Sequence, residues 1–201
     1  MSKISEITIE ELLELYAAGQ RDFTRYTIKH TDQYFENGID LRGVKFRGDS
    51  LEAIFFSLEN SNLSRADLRG INFRKANLDC CNLSETLLNK ASLWCADLNR
   101  ANLSGANLSG ASLSGTTFIT ANLKGANLSK TKLYETSFNC ADLSGVNFSD
   151  AKINGPVWFN EANLTQVDFT KVILDIGWDE ISFKEAYFEN TIMPDGSIRN
   201  S

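Results

Sequence analysis

The stretch ANLSGANLSGASLSG, residues 101–115, consists of three near-copies of one five-residue unit. Its leucines lie five residues apart, each with an alanine two residues before it: Leu103, Leu108 and Leu113. The spacing persists from Leu58 to Ile153, where all twenty such positions are leucine, phenylalanine or isoleucine. Because a disordered chain has no reason to keep an apolar register for so long, the period predicts a folded repeat.

A five-residue period fits neither regular element. On an α-helix a step of five turns the side chain by about 140°, and on a strand an odd step sends successive leucines to opposite faces. A chain that turns a corner every five residues instead closes a square coil after about twenty residues, and such coils stack about 4.8 Å apart. Each central side chain then points into the square, where burial of a leucine stabilises the fold by about 1.5–3 kcal/mol.

Units of the form A(D/N)LXX, such as Ala66-Asp67-Leu68 and Ala141-Asp142-Leu143, carry a family resemblance. From roughly Ile39 to Met193 the chain resembles the pentapeptide-repeat proteins. The resemblance implies an all-β solenoid, a right-handed quadrilateral β-helix. The two flanks, residues 12–23 and 193–198, are similar to the ends of cyanobacterial members.

Three shifts interrupt the register. Outside the long set the central residues are Leu41, Phe46, Leu51 and Phe56, then Phe159, Leu164, Phe169 and Leu174, then Trp178, Phe183, Phe188 and Met193. Because each set fills whole coils, we expect the shifts to be small bulges at coil boundaries, and we expect Pro156 to lie at such a corner. The sets together predict a stack of about eight coils. The predicted division is a capping helix and irregular leading segment over 1–38, the β-helix over 39–193 and a tail over 194–201.

The N-terminal segment predicts a short α-helix that caps the first coil and protects its strand edge. Thr8 and Glu11 form the pattern of a capping box and Gly19 ends the helix, whose apolar side is Ile9, Leu12, Leu13 and Tyr16. Phe23 and Ile28 are expected to point inward in a partial coil.

Two alternatives stay open for the last coil, which is rich in aromatic side chains: Trp178, Phe183, Tyr187 and Phe188. Either this coil pairs with a second copy to form a homodimer, or the tail from Pro194 to Ser201 folds over it.

Composition and motifs argue against an enzyme. Four cysteines (Cys80, Cys81, Cys95 and Cys140) form neither a C-x-x-C pair nor a disulfide framework, and the single histidine, His30, has no metal-ligand spacing around it. The sequence holds no nucleotide-binding, hydrolase or metalloprotease motif, so we expect no catalytic residue, no cofactor and no metal. Without a basic, apolar leader or a run long enough to span a bilayer, a cytoplasmic location is expected and no membrane contact.

Some pentapeptide-repeat proteins are similar to duplex DNA in shape and charge and bind the type II topoisomerase gyrase as decoys. The resemblance therefore raises a DNA-mimic gyrase inhibitor as an alternative function, which requires a strongly negative rod. The net charge of −6 does not lie along the rod, because residues 58–153 hold eight acids and ten bases, whereas residues 154–201 hold eight acids and three bases. This distribution disfavours gyrase inhibition.

Positions twenty residues apart share one side of the rod. This places an aromatic and basic set together: Arg74, Lys75, Trp94, Lys132, Tyr134 and Lys152. Trp94 and Tyr134 lie two coils apart, roughly 10 Å, with the small Ser114 between them. Exposed Trp, Tyr and Arg are the anchor residues of protein interfaces.

The sequence therefore predicts a rigid, non-enzymatic scaffold that docks a protein partner. Single-stranded nucleic acid is a weaker alternative for the same face, because the chain is acidic overall, with a pI of about 4.9. The resemblance to cyanobacterial members allows a regulatory role in cell differentiation or metal homeostasis, and selects neither.

Overall fold

The computed structural model describes residues 5–29, 35–46 and 57–201. Within them the chain winds into a right-handed quadrilateral β-helix with four sides, numbered in the order in which the chain follows them. Face 1 is centred on Leu68, Leu88, Leu108 and Leu128, face 2 on Phe73, Leu93, Leu113 and Leu133, face 3 on Leu78, Leu98, Phe118 and Phe138, and face 4 on Leu83, Leu103, Leu123 and Leu143. Parallel bridges join residues twenty apart, as Asn82 with Asn102, so the predicted five-residue face and twenty-residue coil are confirmed.

The regular elements are short because each face is only a few residues long. They are β1 (Ser5–Ile7), α1 (Ile9–Ala17), β2 (Tyr26–Ile28), β3 (Lys132–Leu133), β4 (Thr136–Ser137), β5 (Lys152–Ile153), β6 (Val157–Trp158), β7 (Ile173–Leu174), a 3₁₀ turn (Trp178–Glu180), β8 (Ile181–Ser182), β9 (Thr191–Ile192) and β10 (Ile198–Arg199). Strands β3, β5 and β7 pair in parallel on face 2, and β4, β6 and β8 pair in parallel on face 3.

Each corner is a β-turn, and its chemistry explains the A(D/N)LXX unit. The N–H of Ala106 donates to the carbonyl of Leu103 at 2.9 Å, which closes the turn. The third turn residue has positive φ, 66° at Gly105, a conformation that glycine adopts without strain. The side chain of Asn102 accepts from the N–H of Ser104 at 3.1 Å, so an Asn or Asp before the leucine stabilises the turn.

Replacing Gly125 with alanine is expected to lower the free energy of unfolding by about 1 kcal/mol. Its φ is 65° and an added Cβ would meet nothing within 4 Å, so the cost is that of the backbone alone. The reverse change, Gln166→Gly at a φ of 58°, is expected to be neutral or slightly stabilising. Urea unfolding followed by circular dichroism measures the free energy of unfolding of both variants. An equal loss of stability from the two would contradict the role given to positive φ at the third turn residue.

The core changes from leucine to phenylalanine along the stack. On face 3 the fully buried Phe118, Phe138 and Phe159 lie on successive coils, followed by Phe183 at the end. Neighbouring rings in this column are stacked, with centroids 5.0, 5.3 and 5.2 Å apart. The C-terminal half of the rod therefore has an aromatic column as its centre.

The N-terminal cap is as predicted. Thr8 and Glu11 form a reciprocal capping box, and Gly19 follows the helix with a φ of 99°. In α1, Ile9 and Leu12 are buried against the core, and Leu13 and Tyr16 are half-buried. Phe23 is fully buried, with its ring centroid 5.8 Å from that of Phe46, whereas Ile28 is half-buried in β2, which pairs with β1.

Two of the register shifts lie at one corner, between faces 2 and 3, which we call the 2–3 corner. Gly155 and Pro156 occupy it between β5 and β6, so the predicted bulge and the place of Pro156 are confirmed. The 3₁₀ turn Trp178–Glu180 occupies it between β7 and β8. Of the first set of central residues, Leu51 and Phe56 lie outside the described residues.

The prediction that Trp178 is the centre of a face is wrong. The face-3 position of that coil is Phe183, because Ser182 pairs with Trp158. The Trp178 ring lies over the end of the core instead, with its centroid 5.8 Å from that of Phe169 and 5.9 Å from that of Phe183. An aromatic side chain that covers the end of a core is removed from water, as is one inside the core. The spacing of apolar residues alone therefore did not distinguish these two positions.

At the C-terminal end, the tail folds over the last coil, which was one of the two alternatives. Strand β10 pairs antiparallel with β9, and the N–H of Ser201 donates to the carbonyl of Phe188 at 3.0 Å. Arg199 places its Cζ 3.9 Å from the centroid of the Phe188 ring. The tail therefore covers an edge that would otherwise be open to another strand.

Candidate protein-docking surface

The six residues predicted to share one face lie on face 2 and the 2–3 corner, and we call them the docking surface. Lys132 in β3 and Lys152 in β5 are direct neighbours in register, and both are exposed. The other four lie at the 2–3 corner: Arg74, Lys75, Trp94 and Tyr134. The twenty-residue coil thus brings together side chains that are far apart in sequence.

Trp94 is held in place by the two cations of the coil below. The Cζ of Arg74 lies 4.7 Å from the centroid of the indole ring, and the Nζ of Lys75 lies 5.4 Å from it. Each cation–π contact of this kind contributes about 0.5–1 kcal/mol at an exposed site. The indole is half-buried, so one side of it remains open to a partner.

Tyr134 is 43% exposed and has a fixed support. Its ring lies against Gly155, which has no room for a Cβ. The backbone also fixes the spacing to Trp94, because Cys95 N–H donates to Ser114 C=O at 2.9 Å and Gly115 N–H to Tyr134 C=O at 2.7 Å. Two aromatic side chains are therefore presented at a set separation of two coils, about 9.6 Å of rod.

Sequence reasoning missed Trp158, which is half-buried on face 3 in register with Ser137. Ser137 is 8% exposed, and its hydroxyl is buried with no hydrogen-bond partner among the residues that the structure describes. The signal was present, because the one-residue shift after Ile153 places Trp158 twenty-one residues from Ser137. Trp158 adds an aromatic side chain next to the 2–3 corner, one coil above Tyr134.

The residues predicted to form a dimer end do not lie together on an open surface. Phe188 is 1% exposed beneath the tail, and Tyr187 is 51% exposed but lies on face 4 at the side of the rod. Trp178 and Phe183 line a groove of about 500 Å³ with Met193 and the tail. Pairing of two copies here stays a prediction, and this groove is the surface left for it.

Three of the four thiols have the environments expected of unreactive cysteines. Burial raises the pKa of Cys81 to about 12, and its Sγ donates to the carbonyl of Leu58 at 2.7 Å. Partial desolvation also raises the pKa of Cys80 and of Cys140, with Asp79 and Glu161 respectively adding to the shift. A raised thiol pKa lowers the fraction of nucleophilic thiolate at neutral pH.

Among the described residues, Asp79 is the most buried carboxylate, with 6% exposure. It accepts hydrogen bonds from the guanidinium of Arg100, which hold the pKa of this carboxyl below its usual range. Arg100 thus neutralises the Asp79 carboxylate at the corner between faces 3 and 4, away from face 2.

Within the described part of the chain, no group of His, Cys, Asp and Glu could hold a metal ion, and His30 lies outside that part. In the same part, α1 is too short and too charged to cross a bilayer, and no other helix qualifies.

Comparison with known proteins agrees with this architecture. The sequence profile of pentapeptide repeats matches in eight copies, over residues 57–94, 81–118 and 119–155. The chain belongs to the pentapeptide-repeat family, whose members are generally non-enzymatic structural or interaction scaffolds. No curated protein matches the sequence.

Several solved structures are similar to this chain. HetL, a pentapeptide repeat protein involved in heterocyst differentiation regulation in the cyanobacterium Nostoc sp. strain PCC 7120, is 25% identical, with a TM-score of 0.51 and coverage of 96% of this chain and 100% of HetL. A pentapeptide repeat protein of the Arabidopsis thaliana thylakoid lumen is 30% identical over 56% of this chain and 70% of its own, with a TM-score of 0.43. QnrB1, a plasmid-mediated fluoroquinolone resistance protein, is 18% identical over 73% of this chain and 81% of its own, with a TM-score of 0.42.

Proposed function

We propose that this protein is a rigid, non-enzymatic scaffold that binds a cytoplasmic protein partner through the docking surface. The observation that carries the proposal is the fixed presentation of Trp94 and Tyr134, each held by its own support and separated by the backbone ladder. Aromatic anchors that are already ordered lose little conformational entropy on binding, which favours affinity. A protein partner is therefore the ligand that this surface suits best.

A regulatory role is part of the proposal. HetL is involved in heterocyst differentiation regulation, and its similarity covers 96% of this chain. A scaffold without catalytic groups acts on a pathway by occupying the surface of another protein. We therefore propose that the bound partner is a regulatory protein or its target.

Gyrase inhibition by DNA mimicry is the alternative, and the charges of the rod disfavour it. A mimic of duplex DNA needs negative charge along its length to replace phosphates. Here the side that carries Trp94 and Tyr134 also carries Lys132 and Lys152 as direct neighbours. These cations would repel a gyrase surface that binds phosphates.

The test is affinity capture from a lysate of the source organism with two matched variants. Trp94→Ser with Tyr134→Ser removes the anchors, and Leu87→Ser with Ile119→Ser removes two other side chains that are each 38% exposed. We expect a partner that is held by the wild type and by the control but lost from the anchor variant. Equal capture by all three proteins would contradict the proposed surface, and capture of gyrase would support the alternative.

A further inference from the structure

Seven cations on face 2 and its two corners form no ion pair with a carboxylate among the described residues, whereas Arg69, at the corner between faces 1 and 2, is paired with Asp67. The seven are Arg74, Lys75, Lys90, Lys130, Lys132, Lys152 and Lys171, and each is exposed. On the other sides of the coils between residues 57 and 190 the cations are paired, as Arg65 with Glu85 and Arg100 with Asp79, and Lys124 is the exception. One side of the rod therefore carries a cluster of cations that form no ion pair within the described part of the chain.

Three of these lysines border a groove across face 2, which we call the central groove. Its floor is the segment 110–115, whose outward residues are only glycine and serine. In the coil below, Lys90 and Trp94 border the two ends of the groove, with the small Ser92 between them. In the coil above, Lys130, Lys132 and Tyr134 form a continuous wall. The register is direct, because Ser112 bridges to both Ser92 and Lys132. The Cγ of Lys90 lies beside Gly110, 3.6 Å from the position of an added Cβ.

The dimensions of the central groove select the shape of its occupant. The groove is one coil wide at its two ends, between Lys90 and Lys130 and between Trp94 and Tyr134. A coil and an extended chain both occupy about 4.8 Å across the strand direction. An α-helix with its side chains is about 10–12 Å wide, which is too large. An extended segment that runs along face 2 would end beside Trp94 and Tyr134 at the 2–3 corner.

We infer that the central groove binds an acidic polypeptide segment in an extended conformation, with its carboxylates paired to Lys90, Lys130 and Lys132. This inference rests on the proposed function and names the partner's chemistry at the same site. Trp94 and Tyr134 then contact apolar residues of the segment where it leaves the groove. The unpaired lysines attract a partner of opposite charge and fix its register.

The acidic residues of the same side distinguish a polypeptide from a nucleic acid. Glu135 at the 2–3 corner and Asp150 beside Lys130 and Lys152 interrupt the positive surface. A nucleic acid carries a phosphate at every nucleotide and would place negative charge against both. A polypeptide places a neutral or basic residue, or a backbone N–H, at those points.

The test measures fluorescence anisotropy of a labelled peptide of about ten residues, alternating glutamate and serine, with a glutamine–serine peptide and oligothymidine of similar length as comparisons. The charge variant is Lys90→Gln, Lys130→Gln, Lys132→Gln. The control variant, Arg65→Gln, Lys124→Gln, Lys184→Gln, changes the net charge equally on other sides of the rod. All these side chains are exposed, and thermal unfolding verifies that both variants are folded.

We expect the wild type and the control to bind the glutamate peptide, and the charge variant to bind it at least roughly tenfold more weakly. Binding should fall as salt is raised, and the glutamine peptide should not compete. No binding by the wild type, or equal binding by the charge variant, would overturn the inference. Tighter binding of oligothymidine would overturn it as well, in favour of single-stranded nucleic acid.

Affinity capture with the charge variant separates the two proposals. A partner that is lost from the Trp94→Ser, Tyr134→Ser variant but kept by the charge variant would overturn the acidic segment and leave the docking scaffold standing. A partner that both variants keep would overturn the docking surface itself.

Discussion

Replacing Phe138 with alanine is expected to lower the free energy of unfolding by about 3–5 kcal/mol. Phe138 has 0% exposure and lies between two rings of the same column, with centroids 5.0 Å from that of Phe118 and 5.3 Å from that of Phe159. Truncation removes both stacked contacts and leaves a cavity. The coils above and below are held apart by the backbone ladder, so they relax little into that cavity.

The matched variant is Phe138→Leu, for which we expect a loss of about 1–2 kcal/mol. Leucine is the residue that face 3 uses in the lower coils, at Leu78 and Leu98, so the site accepts its shape. Chemical denaturation of the two variants beside the wild type measures the difference. If Phe138→Ala cost no more than Phe138→Leu, the phenylalanine column would not be a packed core.

The coil could be predicted from sequence because only one backbone arrangement buries an apolar residue at every fifth position. An apolar residue at every fifth position, as at Leu103 and Leu108, is buried neither by a helix nor by a strand, and a square coil buries all of them. A small residue two positions before the leucine and a residue of positive φ two positions after it form the corner, as Ala101 and Gly105 do. These are local requirements, and local requirements are visible in a sequence.

The C-terminal end of the rod could not be predicted in the same way, because it depends on contacts outside the repeat. Trp178 keeps an apolar spacing but lies over the core as a cover. The tail competes with a second copy for the same strand edge, and the choice depends on pairs such as Phe188 with Ser201. The spacing of apolar residues does not indicate whether the tail or a second copy covers the last coil.

The docking surface was predictable in part for a related reason. A twenty-residue coil fixes which residues share a side, so Trp94 and Tyr134 could be placed two coils apart. The supports of these rings, Arg74 for one and Gly155 for the other, required the structure. Lys90 and Lys130 were missed because they lie at the corner between faces 1 and 2, on the opposite edge of face 2 from Trp94 and Tyr134.

Deleting residues 101–120 is expected to leave the β-helix folded and to weaken binding of the glutamate peptide at least roughly tenfold. The deletion removes one whole coil, so Arg100 joins Ala121 in the original register and every later face keeps its place. It also removes the floor of the central groove and brings Trp94 and Tyr134 to adjacent coils, about 4.8 Å apart along the rod. The anchors and lysines are all retained, and only their spacing changes.

The deletion is made together with Cys95→Ala, because Glu135 would take the place of Gly115, where a Cβ would lie 2.8 Å from the Cys95 sulfur. The control duplicates residues 61–80, which adds a coil below the groove and leaves the spacing from Trp94 to Tyr134 unchanged. Circular dichroism measures folding and peptide anisotropy measures binding. A folded deletion variant that binds as tightly as the wild type would show that the groove does not hold the peptide. An unfolded one would contradict the equivalence of the coils, since removal of one coil should cost only its own packing.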